Sequence, residues 1–288
     1  MDFIIIPKEW NYIIKVVARL SKVSIYIPTH NRIHLLKRAI KSVFSQTYKD
    51  WELLIVNDAS EDGTREYLDN LIKTDSRVKV FHNESSLGAC SSRNIAIRNA
   101  TGYYITGLDD DDYFTENRIE SLLSDYDSKY SFISHCHKID NGKRVKKCLS
   151  YEGDFCLKDI LKKNFVGNQV FTETNKIRSV NGFDESLPAW QDYDLWVRLT
   201  IRYGIFKKIK NYTYIMDIAH EKERITNSDK PAKGCQIFID KYEMYSSDRL
   251  QKNKIIKKII GKEKISFTQF LKVIDKDNFV GIIKYVSR

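Results

Sequence analysis

The sequence predicts an α/β fold: a mostly parallel sheet covered by helices on both faces. Three observations predict it. Short β-rich runs alternate with helical periodicity from Val23 to Asp112 in the order β-α-β-α-β-α-β, which requires crossover connections and hence parallel strands. The run Trp51-Glu52-Leu53-Leu54-Ile55-Val56 is almost continuously apolar, the mark of a strand covered on both faces. Polar residues then gather directly behind the strands, where open parallel sheets bind their ligands.

Residues 8–21 place Trp10, Ile13, Ile14, Val17 and Leu20 at helical spacing, so residues 1–22 read as a short amphipathic extension that covers a core edge or touches a membrane. Val23–Ile27 is the first strand, stopped by Pro28, and Ile33, Leu36, Ile40, Val43 and Phe44 form one face of the following helix. After the strand at 51–56, Tyr67, Leu68, Leu71 and Ile72 mark a second helix. A third strand at 78–81, a helix over 92–100 and a fourth strand at 103–105 complete the nucleotide-binding half, 23–112. In the second half, 113–225, the alternation weakens: a strand at 131–134, a looser stretch to 180, a helix over 192–203 and a strand over 212–218. Residues 226–288 read as a basic helical extension.

The 288 residues contain only 4 prolines and 12 glycines, which argues against long linkers. Five cysteines (90, 136, 148, 156 and 235) have no C-x-x-C spacing and an odd count, so buried thiols in a reducing compartment fit better than disulfides or zinc. No apolar run is long enough to cross a membrane, and the opening residues lack a signal sequence, so a cytoplasmic protein is expected. Residues 249–288 carry eleven Lys/Arg against three acids, +8 of the net +10. Such a tail either lies on the anionic inner face of the plasma membrane as a peripheral anchor or packs as a solvated helix. Nucleic-acid motifs are missing, and a nucleic-acid partner is not expected.

Asp109, Asp110, Asp111 and Asp112 carry the strongest chemical signal. Four adjacent carboxylates repel one another unless a cation neutralises them, and oxygen ligands suit Mn²⁺ or Mg²⁺. In extended geometry Asp109 and Asp111 share one face, Asp110 and Asp112 the other. The alternative is a solvated acidic turn. Neither G-x-G-x-x-G nor G-x-x-x-x-G-K-[ST] is present, so a metal would do what glycine-rich backbone does in those folds.

Ile27-Pro28-Thr29-His30-Asn31-Arg32 and Ile55-Val56-Asn57-Asp58-Ala59-Ser60-Glu61-Asp62-Gly63-Thr64 closely resemble the start of family 2 inverting glycosyltransferases. Gly88 to Asn94, Gly102 to Asp112, Gly182-Phe183-Asp184 and Gln191-Asp192-Tyr193-Asp194-Leu195-Trp196 continue the resemblance in order, over about residues 23–225. It implies the Rossmann-like GT-A fold and a UDP-sugar donor. Asp58 and Arg93 would hold uracil, with Pro28, Thr29, Asn31, Arg32 and Ser60 around the same pocket. Asp109 and Asp110 would lie by the ribose and sugar, Asp111 would ligate the metal, and Asp192 would be the general base. The family usually has Glu where this chain has Gln191, which removes any paired-carboxylate argument. His220 is a second candidate metal ligand and Arg224 a candidate phosphate partner; Trp190 and Gln191 are candidates for the acceptor side.

The chemistry stands by itself: a carboxylate can take the proton of an attacking hydroxyl, and a divalent cation can stabilise a leaving diphosphate. The acceptor implied is a hydroxyl of a glycan, lipid-diphosphate-linked, in bacterial surface polysaccharide or O-antigen synthesis. Two other readings compete. A non-catalytic nucleotide-sugar-binding scaffold would bind UDP without turnover. A sugar nucleotidyltransferase would need a glycine-rich basic loop after the first strand, which residues 28–32 do not supply.

Overall fold

The computed structural model describes residues 21–149, 151–167, 169–219 and 230–245. The anticipated helix at 8–21, the basic tail at 249–288, His220 and Arg224 thus lie, Ser21 excepted, outside the described residues.

Strands β1 (Val23–Thr29), β2 (Trp51–Asp58), β3 (Val78–Asn83) and β4 (Tyr104–Gly107) form the predicted parallel half in the order β3-β2-β1-β4. The first strand runs through Pro28, whose fixed φ suits extended backbone, and pairs it with Val56. Helices α1 (Ile33–Phe44), α2 (Thr64–Leu71) and α3 (Ala89–Asn99) connect these strands. Both sheet faces are covered, and alternation sorts the side chains. Val23, Ile25 and Ile27 of β1 join the core with Leu36, Ala39, Ile40 and Val43 of α1, whereas Tyr26 points the other way, its ring edge-on to Phe183.

The second half holds more structure than its sequence pattern suggests. Strand β5 (Tyr113–Phe114) and helix α4 (Arg118–Asp125) lead into the long β6 (Ile133–Asp140). The stretch read as loose contains β7 (Val145–Lys147), β8 (Gly153–Phe155), the single turn α5 (Leu157–Ile160), β9 (Phe171–Glu173) and α6 (Thr174–Ser179). Elements of two to six residues carry too little periodicity to be seen in sequence. Helix α7 (Gln191–Tyr203) and β10 (Phe206–Asp217) follow.

The full path is β3-β2-β1-β4-β9-β6-β10-β5, with β7 on β6 and β8 on β10. Strand β9 is antiparallel to both β4 and β6, so β6 runs with β4, and β10 runs with β6. Six strands therefore end at one edge while the short β5, β7, β8 and β9 run the other way; the sheet is mixed, its long strands parallel. Two compact units emerge among the described residues: 21–185 with 192–219, and 186–191 with 230–245. In the second, helix α8 (Lys230–Tyr242) sets Phe238 against Trp190, and Gly234 lies so close to the Ala189 carbonyl that a Cβ there would collide at 2.5 Å. No described helix is long and apolar enough to cross a membrane.

Candidate active site

The shared strand edge is built from loops that hold one another. Behind β1 and β2, Asn31 and Ala59 adopt left-handed backbone (φ 52° and 55°), which costs a residue with a Cβ about 1–2 kcal/mol. Cross-loop hydrogen bonds offset that cost. Asn31 N donates to Ser60 Oγ (2.9 Å), Glu61 N to Asn31 Oδ1 (2.7 Å), and His30 Nδ1 to the Asp58 carbonyl (2.5 Å). Asn31 and Ser60 thus belong to one hydrogen-bonded lip, into which Pro28 and Thr29 lead from the end of β1.

Asp58, at the end of β2, is 4% exposed. Its oxygens accept from Leu87 N and Gly88 N (2.8 and 2.9 Å), Asn83 Nδ2 (2.7 Å) and Ser86 Oγ (2.8 Å). Burial alone would raise its pKa, but these four donors hold it below the usual carboxylate range. Asp58 therefore shapes the 83–88 loop that leads into α3.

The four aspartates are not extended. Asp112 N donates to Asp109 O (3.0 Å), closing a turn that gives Asp109 and Asp112 partners of their own and leaves Asp110 and Asp111 side by side. The face-sharing expected from extended geometry does not occur. Arg32 Nη1 bridges Asp110 Oδ1 (3.1 Å) and Asp111 Oδ2 (2.9 Å), and Thr29 Oγ1 donates to Asp110 Oδ2 (2.8 Å). Burial pushes Asp110 up to about 6, with Arg32 opposing. Asp112 points inward, accepting from Tyr214 Oη (2.7 Å) and Asp217 N (2.9 Å), and burial raises its pKa as well. Arg38 of α1 clamps the turn from outside, donating to the Asp111 carbonyl and pairing with Asp217 at 2.5 Å.

Asp109 faces α3 and α7. Arg93 Nη2 donates to Asp109 Oδ1 (2.9 Å), and Arg93 Nη1 lies 4.0 Å from Asp192 Oδ1. Desolvation alone would lower the Arg93 pKa, but Asp109 and Asp192 hold it above its ordinary value. Gln169 Nε2 donates to the same Asp109 oxygen (3.1 Å) while its Oε1 accepts from Tyr26 Oη (3.0 Å). Asp192 lies in the first turn of α7, where the helix dipole favours a negative charge. Its side chain is 27% accessible, yet Oδ1 is sealed from solvent and has no hydrogen-bond donor. Desolvation, with Asp109 adding repulsion and Arg93 opposing, pushes it up to about 6.

The fold thus gathers Thr29, Arg32, Arg93, Asp109, Asp110, Asp111 and Asp192 in one network, with the lip of Asn31 and Ser60 and the buried Asp58 beside it. Arg93 makes its charged contacts with Asp109 and Asp192. Trp190 and Gln191 belong to the second compact unit. Sequence reasoning missed Tyr26, Gln169, Tyr214, Arg38 and Asp217. Only Gly107 hinted at Gln169: a Cβ there would fall 2.0 Å from Gln169 Oε1 and 2.5 Å from the Tyr26 ring. Among the described residues no group of three or more His, Cys, Asp or Glu converges as a ready-made metal cage.

The family profile described as Glycosyl transferase family 2 matches residues 24–184. WcaA of Escherichia coli K12, a glycosyl transferase named for colanic acid biosynthesis, is 36% identical over 77% of this chain and 81% of its own length. The chain belongs to glycosyl transferase family 2. Another relative, WfgD of E. coli, named a UDP-Glc:alpha-D-GlcNAc-diphosphoundecaprenol beta-1,3-glucosyltransferase, is 32% identical over 62% of this chain and 69% of its own. Among solved structures, Staphylococcus aureus TarS in complex with UDP-GlcNAc superposes with a TM-score of 0.65 at 16% identity, covering 92% of this chain and 81% of that one. A mannosyltransferase of Pyrobaculum calidifontis, in complex with GDP-Man and Mn²⁺, gives 0.55 at 14% identity over 92% and 72%. At such identities the structures establish the shared fold, here that of a glycosyltransferase with helices on both sides of its sheet.

Proposed function

We propose that this glycosyltransferase moves a hexose or N-acetylhexosamine from a UDP-sugar to a hydroxyl of a lipid-diphosphate-linked glycan, with inversion and with the help of Mn²⁺ or Mg²⁺. One observation carries the reading: the sealed, donorless Oδ1 of Asp192 lies 4.0 Å from an arginine that also grips the first aspartate of the acidic turn. The buried oxygen keeps the carboxylate poorly solvated, and the accessible 27% of the side chain is where an acceptor hydroxyl can meet it. With a pKa of about 6, Asp192 is ionised at neutral pH yet basic enough to take a proton in the transition state.

The acceptor O–H gives its proton to the accessible side of the Asp192 carboxylate as its oxygen attacks the anomeric carbon from the side opposite the diphosphate. The bond from that carbon to the diphosphate oxygen breaks, and UDP leaves with the electron pair. A single displacement inverts the centre. Arg93 keeps Asp192 and Asp109 in register, and the Asp58 loop with the lip of Asn31 and Ser60 bounds the nucleotide pocket. The Arg32 guanidinium bridges Asp110 and Asp111, so the two carboxylates lie close enough for a divalent ion to take the guanidinium's place between them. Two carboxylates plus substrate phosphates are a usual shell for Mg²⁺ or Mn²⁺. Bound there, the ion would supply charge stabilisation for the leaving diphosphate.

The UDP-Glc and diphosphoundecaprenol-linked acceptor in the name of WfgD, and the UDP-GlcNAc bound to TarS, support a UDP-sugar and a lipid-diphosphate acceptor for this chain. The test is UDP release from a panel of UDP-sugars, with and without undecaprenyl-diphosphate-linked saccharides, in Mn²⁺ or EDTA. Acceptor-stimulated release from one donor, abolished by EDTA, is the expected result. UDP binding without release across all acceptors would reduce the chain to a binding module, and release undiminished by EDTA would remove the metal.

A further inference from the structure

We propose that the β6–β7 hairpin is a docking surface for an anionic phospholipid bilayer, holding the active-site edge against the membrane. The inference rests on the lipid-linked acceptor proposed above and gives that acceptor's membrane a place on the fold.

The hairpin carries Lys143, Arg144, Lys146 and Lys147 within five positions, and no acid occurs from 141 to 149. All four are exposed, and none is in an ion pair among the described residues. Charge by itself would suit any polyanion. The apolar residues set among these cations favour a bilayer: Val145 is 47% exposed, Tyr151 48%, and Leu149 105%, more open than in a reference extended chain. A leucine held out in water beside four cations is the pattern of an interfacial segment, where basic heads meet lipid phosphates and apolar tips enter the acyl boundary. The tip is not loose. β7 pairs antiparallel with Lys138, Ile139 and Asp140, and the turn is closed by Lys143 N and Arg144 N donating to Asn141 Oδ1 (3.1 and 3.0 Å).

Placement makes the surface useful. β6 ends at the same edge as β1, β4 and β10, so the hairpin projects from the edge that carries the aspartate turn. The two are one side chain apart: Tyr113, next to Asp112, donates from Oη to Asp140 Oδ2 (2.8 Å) at the hairpin's base. An acceptor whose diphosphate lies at the headgroup level would meet the enzyme at this edge.

The experiment is sedimentation of the full chain with vesicles of phosphatidylcholine, alone or with phosphatidylglycerol added, in the absence of donor and acceptor. It therefore fails or succeeds independently of sugar transfer. The wild type should bind only the phosphatidylglycerol vesicles. Lys143→Ser with Lys146→Ser and Lys147→Ser should lower partitioning by at least about tenfold, since each basic residue near an anionic surface contributes roughly fivefold. Leu149→Ser should lower it by about tenfold with all charges kept. Unchanged thermal melts confirm that the variants fold. A wild type that ignores phosphatidylglycerol overturns the proposal. So do variants that bind like the wild type, which would transfer the role to another segment such as 249–288. A charge-dependent binding that Leu149→Ser leaves intact and duplex DNA competes away also overturns it, in favour of a polyanion site.

Discussion

Replacing Asp192 by Asn separates catalysis from stability, because this carboxylate is costly to ionise where it sits. A carboxyl whose pKa is about 6 in the fold against 3.8 ordinarily costs about 3 kcal/mol when ionised at about pH 8. The sign follows from the direction: the raised folded pKa means this contribution to stability is fully present below 3.8 and is lost as pH rises through about 6. Asparagine keeps the shape without the charge. Arg93 loses one flanking carboxylate, although it keeps Asp109 at 2.9 Å, and Asp192 retains some solvent contact, so about half the figure survives. Asp192→Asn should then melt about 3–6 °C higher than the wild type at about pH 8, and the difference should vanish at about pH 4. Its transfer rate should fall by about 10²–10⁴ while UDP binding is kept. Differential scanning fluorimetry across pH, together with UDP release, reads both. A variant that melts several degrees lower at about pH 8 would make Asp192 a stabilising partner of Arg93 and refute the idea of a strained base; activity within a few-fold of wild type would refute the base itself.

In the wild type, kcat/KM should rise with pH and level off above about 6, following ionisation of Asp192; a flat profile from acid to neutral pH would contradict that assignment. Gln169→Leu strands the Tyr26 hydroxyl and removes one donor from Asp109, which Arg93 still holds, so about 1–3 kcal/mol of stability and about 10²-fold in kcat/KM should go, read by denaturation and UDP release. Gly107→Ala pushes a methyl into the same amide and should destabilise by about 1–3 kcal/mol; an unchanged melt would show that the amide can move aside. Arg32→Met removes the cation shared by Asp110 and Asp111, and calorimetry should show Mn²⁺ binding the nucleotide-free protein roughly tenfold more tightly.

The parallel half of the fold was legible because its strands are buried on both faces and its helices are long enough to show a period. Val23, Ile25 and Ile27 alternate with Ser24 and Tyr26, and both sets are buried, so the sequence pattern and the packing agree. The second half was harder to read, since β7, β8 and β9 have three residues each and are fixed by partners far along the chain. The acidic run announced a site, but its geometry depended on a turn closed by Asp112 N on Asp109 O, which no period reveals. Arg32 and Arg93 were expected around the nucleotide, and their charged partners within the fold are Asp110 and Asp111 for the first and Asp109 and Asp192 for the second. Gln169 contacts Asp109 from sixty residues away, a relation visible only once β9 is laid beside β4.

The most direct measurement of the account is the anomeric configuration of the product, read by NMR after transfer from an α-linked UDP-sugar. A single displacement with Asp192 as base predicts a β-linked product. An α-linked product would require a second displacement or front-face attack, and the assignment of Asp192 as the base of an inverting transfer would fail.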